Sequence, residues 1–141
     1  IQSGIDEGAK LETGGTGLPS NLNRGFYVKP TVFSGVTRNM RIAKEEIFGP
    51  VATVITYADL DEAIEIANDT EYGLSAAISG DPHKAAEIAP KLRAGNVAIN
   101  NWGPSPGAPF GGYKQSGNGR EAGLFGLRDF MEIKAISGLP A

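Results

Sequence analysis

The chain has 141 residues, a net charge of −3 from 13 basic and 16 acidic side chains, and no Cys. That length suits one domain, or part of one. The basic residues are scattered, so nothing marks a nucleic-acid or anionic-membrane surface, and the lack of Cys excludes a disulfide framework, a thiolate metal site and a cysteine nucleophile on this chain.

The first ten residues, IQSGIDEGAK, read as the last turn of a helix and lack both the basic and the apolar region of a signal peptide. They begin with Ile, so an artificial or processing boundary is expected at residue 1. No apolar run approaches the roughly 20 residues that cross a bilayer; a soluble, cytoplasmic protein is the expectation. Next, GFYVKPTVFSGV (25–36) holds apolar and aromatic residues around Pro30, which restricts it to an edge strand or an irregular extended segment rather than a central strand. The run PVATVITYA (50–58) is β-branched and nearly continuous, as in a strand covered on both faces.

A helix follows. Asp59 can cap LDEAIEIAND, where Leu60, Ala63, Ile64 and Ala67 form one apolar stripe. YGLSAAISG (72–80) is a second strand, and DPHKAAEIAPKLRAG a second helix with Asp81 as cap and Pro82 in the first turn. Its stripe is Ala85, Ile88, Ala89 and Leu92. Pro90 should kink it, and Gly95 is placed to leave it in the left-handed conformation. NVAINN (96–101) is the third strand. Strand, helix, strand, helix, strand is the pattern of parallel β-α-β units in an α/β fold. After a Gly/Pro-rich stretch (103–119), REAGLFGLRDFME is helical near Leu124, Leu127 and Phe130, and EIKAIS (132–137) alternates like an exposed strand whose partner would be a neighbouring subunit.

Several candidate motifs fail on chemical grounds. GPSPG (103–107) fits the G-x-S-x-G pattern, yet Pro106 has no N–H for an oxyanion hole, no helix follows directly, and the only His precedes Ser105. GNGREAG (117–123) has the glycines of a dinucleotide fingerprint but follows a loop, not a strand. His83 has no carboxylate or second His at ligand spacing and reads as a solvated residue. Asp59, Asp61, Glu62 and Glu65 read as the favourable first turns and wet face of a helix.

EEIFGPV (45–51) and PFGGYKQSGNGRE (109–121) are specific together. With GFYVKPTVF, ANDTEYGLSAAI and LRAGNVAINN in the same order between and before them, they resemble the C-terminal third of the aldehyde dehydrogenase superfamily, over essentially the entire chain. The resemblance implies part of an α/β catalytic domain over residues 1–130, with its parallel β-α-β sheet and C-terminal helix, and an oligomerisation strand or tail over 131–141. It implies that Glu46 hydrogen-bonds the ribose hydroxyls beside the nicotinamide of NAD or NADP, and that Phe48 packs against the nicotinamide ring. It places Phe110 at the mouth of an aldehyde pocket, with Trp102 in the variable loop that lines it. Glu121 matches a carboxylate that in some members relays protons to the deacylating water. Lys114 and Gly117 match positions whose backbone carbonyls bind a monovalent cation in some relatives. The family's cysteine nucleophile, its general base and its Rossmann-like domain would lie outside these residues. The leading expectation is therefore a fragment of an NAD(P)-dependent aldehyde dehydrogenase, inactive alone, with the rest of its subunit, an aldehyde and further copies of itself as partners. The alternative is a truncated, non-catalytic paralogue that acts as an assembly module through EIKAIS.

Overall fold

The computed structural model describes residues 1–103 and 105–138. It is α/β and divides into two compact units, Ile1–Thr70 and Glu71–Ala141.

In the first unit, helix α1 (Gln2–Asp6) leads into strand β1 (Lys10–Thr13). Strand β2 (Thr31–Ser34) pairs antiparallel with β1 and parallel with β3 (Val51–Thr53), in the register Thr31 to Val51, Val32 to Ala52 and Phe33 to Thr53. The order β1-β2-β3 makes β2 the central strand, which corrects the expectation that Pro30 confines this segment to an edge. The physical reason is position. Pro30 stands one residue before the ladder, where no N–H is demanded of it, and the Thr31 N–H donates to the Pro50 carbonyl at 2.9 Å. The apolar run 50–58 is likewise shorter than its composition suggested. It contributes a three-residue edge strand with Ala52 exposed, not a strand covered on both faces.

The core of this unit is Phe33, with no exposed surface, together with Ala9, Val36 and Ile42. Ile42 comes from the four-residue helix α2 (Arg41–Lys44). Gly4 lets α1 lie against it, because a Cβ there would sit 2.8 Å from the Ile42 Cδ1 and 3.2 Å from the Phe33 ring. Thr31, also buried, is satisfied: its hydroxyl donates to the Lys29 carbonyl at 2.8 Å and accepts the Gly15 N–H at 3.0 Å. Helix α3 (Leu60–Asn68) closes the unit. Asp59 caps it as the sequence predicts, accepting the Glu62 N–H at 2.9 Å, while Glu62 accepts the Ala58 N–H at 2.6 Å. Its apolar stripe lacks a buried residue.

The second unit is a β-α-β motif. Strands β4 (Ser75–Ile78) and β5 (Asn96–Ile99) pair in parallel from Ser75 with Asn96 to Ile78 with Ile99. Helix α4 (Pro82–Ile88) joins them, with the Asp81 side chain accepting the Lys84 N–H at 3.0 Å. Ala85 and Leu92, both on the predicted stripe, are its buried apolar residues. Pro90 ends the α-helix in a 3-10 turn, Ala89–Lys91.

Three expectations need correcting here. Among the described residues the strands at 50–58, 72–80 and 96–101 fall in two sheets, β3 with β1 and β2, and β4 with β5. Gly95 is not a left-handed helix exit, for the helical turn has already ended at Lys91. It is small because a Cβ there would lie 1.8 Å from the Gly111 carbonyl oxygen, a backbone-on-backbone approach that no side chain permits. Finally, helix α5 (Gly123–Arg128) stops before Phe130. Residues 132–138 are exposed and outside regular structure in the single chain.

Candidate functional site

The residues singled out by sequence fall into two groups, one in each unit. In the first, α2 ends at Lys44 and the backbone becomes extended at Glu45. The two adjacent carboxylates then diverge in role. Glu45 is engaged locally: its Oε2 accepts from the Arg41 Nε at 2.7 Å, an i,i+4 pair on the helix. Among the described residues the Glu46 carboxylate has no hydrogen bond or ion pair, and its side chain is exposed.

Phe48 is 89% exposed and carries a positive φ of 56°. That conformation costs a residue with a Cβ roughly 1 kcal/mol or more. The turn closes with the Val51 N–H donating to the Gly49 carbonyl at 2.8 Å. An apolar ring held out in solvent on a strained backbone is therefore presented, not packed. Glu46 and Phe48 line one open cavity of about 400 Å³ with Ile42, Ile47 and Thr53.

In the second unit, β5 is followed by Asn100 and Asn101, both with positive φ (51° and 61°), a region that Asn tolerates better than other residues with a side chain. Asn100 fixes the turn by accepting the Gly80 N–H at 2.9 Å and donating to the Gly80 carbonyl at 3.0 Å. The chain then presents Trp102, 80% exposed. Trp102 and Phe110 line one cavity of about 550 Å³ with β5 as its floor. Ser105 lies on its rim in a loop; Pro104 of the G-x-S-x-G pattern lies outside the described residues.

The structure also joins Phe110 to Glu121, which sequence spacing did not suggest. The two form an isolated antiparallel bridge: the Phe110 N–H donates to Glu121 at 2.8 Å, and the Glu121 N–H donates to Phe110 at 2.7 Å. Between them, residues 111–120 form a loop held by Arg120. Its Nη1 donates to the carbonyls of Gly112, Asn118 and Gly119 at 2.9, 3.0 and 2.8 Å. The Tyr113 ring has the guanidinium of Arg120 at 5.6 Å and that of Arg93 at 5.9 Å. Asn96 adds a bond to the Gly111 carbonyl at 3.0 Å. Sequence reasoning missed Arg120 and Asn96; the only sign of them was the density of Gly around 111–119, where carbonyls are free to turn inward.

Lys114 and Gly117 sit in this loop with φ of 54° and 89°, Lys114 opening a 3-10 turn, Lys114–Ser116, and Gly117 capping its end. The Lys114 carbonyl accepts the Gly117 N–H at 3.1 Å, so one of its two lone-pair directions is in use. Among the described residues no group of three or more His, Cys, Asp or Glu could hold a metal ion. His83 is exposed at the start of α4.

Comparison with known proteins identifies the family and the fold. The solved aldehyde dehydrogenase of Bartonella henselae superposes with a TM-score of 0.90 at 53% identity, over 94% of this chain and 28% of that one. An aldehyde dehydrogenase C variant from Pseudomonas syringae, in complex with NAD+ and octanal, gives 0.91 at 53% identity, over 96% of this chain and 28% of that one. A Mycobacterium tuberculosis aldehyde dehydrogenase in complex with NAD+ gives 0.86 at 48% identity, over 92% and 27%. A Staphylococcus saprophyticus protein named for the same activity is 53% identical over 139 residues, 98% of this chain and 29% of its own length. The chain thus spans under a third of the relatives it matches. With the aldehyde dehydrogenase family model matching residues 1–136, the chain belongs to the aldehyde dehydrogenase family.

Proposed function

We propose that this chain supplies one wall of the nicotinamide site and part of the substrate mouth of an NAD-dependent aldehyde dehydrogenase. The observation that carries the reading is the contrast between Glu45 and Glu46. Both carboxylates line the cavity that also holds the exposed Phe48 ring, but Glu45 is paired to Arg41, whereas Glu46 is unpaired among the described residues. A free carboxylate accepts two vicinal hydroxyl protons, and an aromatic face covers a flat ring, so the residues present fit a nicotinamide riboside. When bound, NAD would supply the hydride acceptor; relatives solved with NAD+ support that cofactor.

The residues of this chain would bind and orient. Glu46 would fix the ribose, Phe48 would cover one face of the ring and exclude water from it, and Trp102 with Phe110 would flank an apolar aldehyde. Glu121, whose backbone bridges Phe110, would carry a proton at its carboxylate. The chain has no Cys, so thiolate attack on the aldehyde would fall to residues outside these 141. The exposed apolar residues of the tail, Ile133 at 92% and Ile136 at 69%, support pairing of 132–137 with a neighbouring subunit.

Two measurements test this. Titrating the isotope-labelled chain with NADH should shift the amides of Glu46–Phe48 with an affinity of about millimolar, as expected of one wall of a site. Glu46→Gln and Phe48→Ala should each weaken the response. Absence of shifts there at saturating nucleotide would refute the site. The pure chain should form no NADH from NAD+ and an aldehyde; formation above the protein-free rate would refute the division of labour.

A further inference from the structure

We propose that Asp69 is a positioning residue for the Glu46–Phe48 turn, held in that role by two cations that flank α2. The inference rests on the nicotinamide reading of that turn and adds to it a residue outside the cavity. Asp69 follows α3 as its C-cap. Its carboxylate takes the Lys44 ammonium and, at 3.2 Å, the Arg38 Nε. The Lys44 Nζ also reaches the Asp69 backbone carbonyl at 3.3 Å. Arg38 extends the network to Glu65 on α3 at 3.4 Å.

The placement gives this cluster its consequence. Lys44 is the last residue of α2 and stands two residues before Glu46; Arg38 stands three before the helix begins. A four-residue helix has no stability of its own. It is held here from three directions. Ile42 is buried in the core at 5% exposure, the Glu7 carboxylate accepts the Arg41 N–H at 2.7 Å, and Asp69 holds the C-terminal end. The first two fix the start and middle of α2. At the end from which the cofactor-facing turn departs, the Asp69 pairs tie α2 to the neighbouring helix α3, whereas the Arg41–Glu45 pair is local to α2 itself. Glu46 has no such bonds itself and Phe48 is strained, so their orientation depends on Ile47, which packs between them on the core, and on the end of α2 that Asp69 holds.

The test uses the full chain as wild type, Asp69→Asn and Asp69→Glu. The Glu45 amide, bonded to the Arg41 carbonyl at 2.9 Å, reports on the end of α2, and the Val54 amide, bonded to the Phe33 carbonyl at 2.9 Å, reports on the sheet. Asp69→Asn should speed hydrogen exchange at Glu45 by roughly 1.5-fold to fivefold, the range of partly exposed ion pairs. It should lower the order parameters of Glu46 and Phe48 and leave Val54 unchanged. Asp69→Glu, which keeps the charge, should restore most of the protection. Equal acceleration at Glu45 and Val54, no change at either, or an Asp69→Glu chain as loose as Asp69→Asn would overturn the proposal. A parallel NADH titration separates the two readings. Absence of a response at Glu46–Phe48 in the wild-type chain refutes the cofactor site, while the nucleotide-free comparison alone decides the role of Asp69.

Discussion

Phe48 pairs a left-handed backbone at φ 56° with a ring 89% exposed, and neither is explained by stability. Glycine adopts that φ without a Cβ clash, at the expense of a freer unfolded chain. Phe48→Gly should therefore leave the chain as stable as wild type or up to about 1 kcal/mol more stable, read as the urea midpoint at constant slope. The same substitution should abolish the NADH response. Stability that rises as binding falls is the signature of a residue retained for its ligand. A loss beyond about 1 kcal/mol would mean that the ring packs within the chain after all. Glu46 should behave similarly: Glu46→Gln removes no pair and should barely change stability.

At the scale of elements, caps and ion pairs carry more than the thin core suggests. Asp59→Ala removes the acceptor of the Glu62 N–H and should cost about 1 kcal/mol, seen as lower helicity or a lower unfolding midpoint. Asp69, beside Lys44 and Arg38, and Glu12, beside Lys10 and Ser34, both have their carboxyl pKa held below the ordinary value by those partners. For a depressed carboxylate the stabilisation is complete above the unfolded pKa and disappears as pH falls through the folded one. Acid should therefore loosen the ties between β1 and β2 and between α2 and α3 below about pH 4, and Asp69→Asn with Glu12→Gln should flatten that part of the stability profile. Helices α3 and α4 with their Asp caps, the β-α-β unit and the α/β class were legible in the sequence because each rests on local chemistry. Sheet membership was not. Which strand lies beside β3 is decided by Phe33 packing on Ile42 and by the Thr31 N–H reaching Pro50, contacts between residues far apart in the chain. Glu46 and Phe48 were found by family resemblance to their motif. Their distinction from Glu45 needed the observed Arg41 pair, just as the Phe110 bridge to Glu121 needed the folded loop.

At the scale of the whole molecule, only six described apolar residues are buried: Ala9, Phe33, Val36, Ile42, Ala85 and Leu92. Phe26, Phe130 and Ile133 are 108%, 88% and 92% exposed, well beyond scattered surface apolar residues that need no explanation. The chain in isolation should self-associate, with an apparent mass in light scattering above the 14.7 kDa of one copy. A monodisperse monomer would contradict this. Trp102 gives the molecule one further property. It is the only tryptophan in the sequence, it is 80% exposed, and it stands on the wall of the cavity beside Phe110. The chain therefore carries its one indole at the proposed substrate mouth, and indole emission can be excited selectively over that of its four tyrosines. Red-shifted emission, quenched readily by iodide in the free chain and protected when an apolar aldehyde enters, would report occupancy of that mouth optically, without label or turnover.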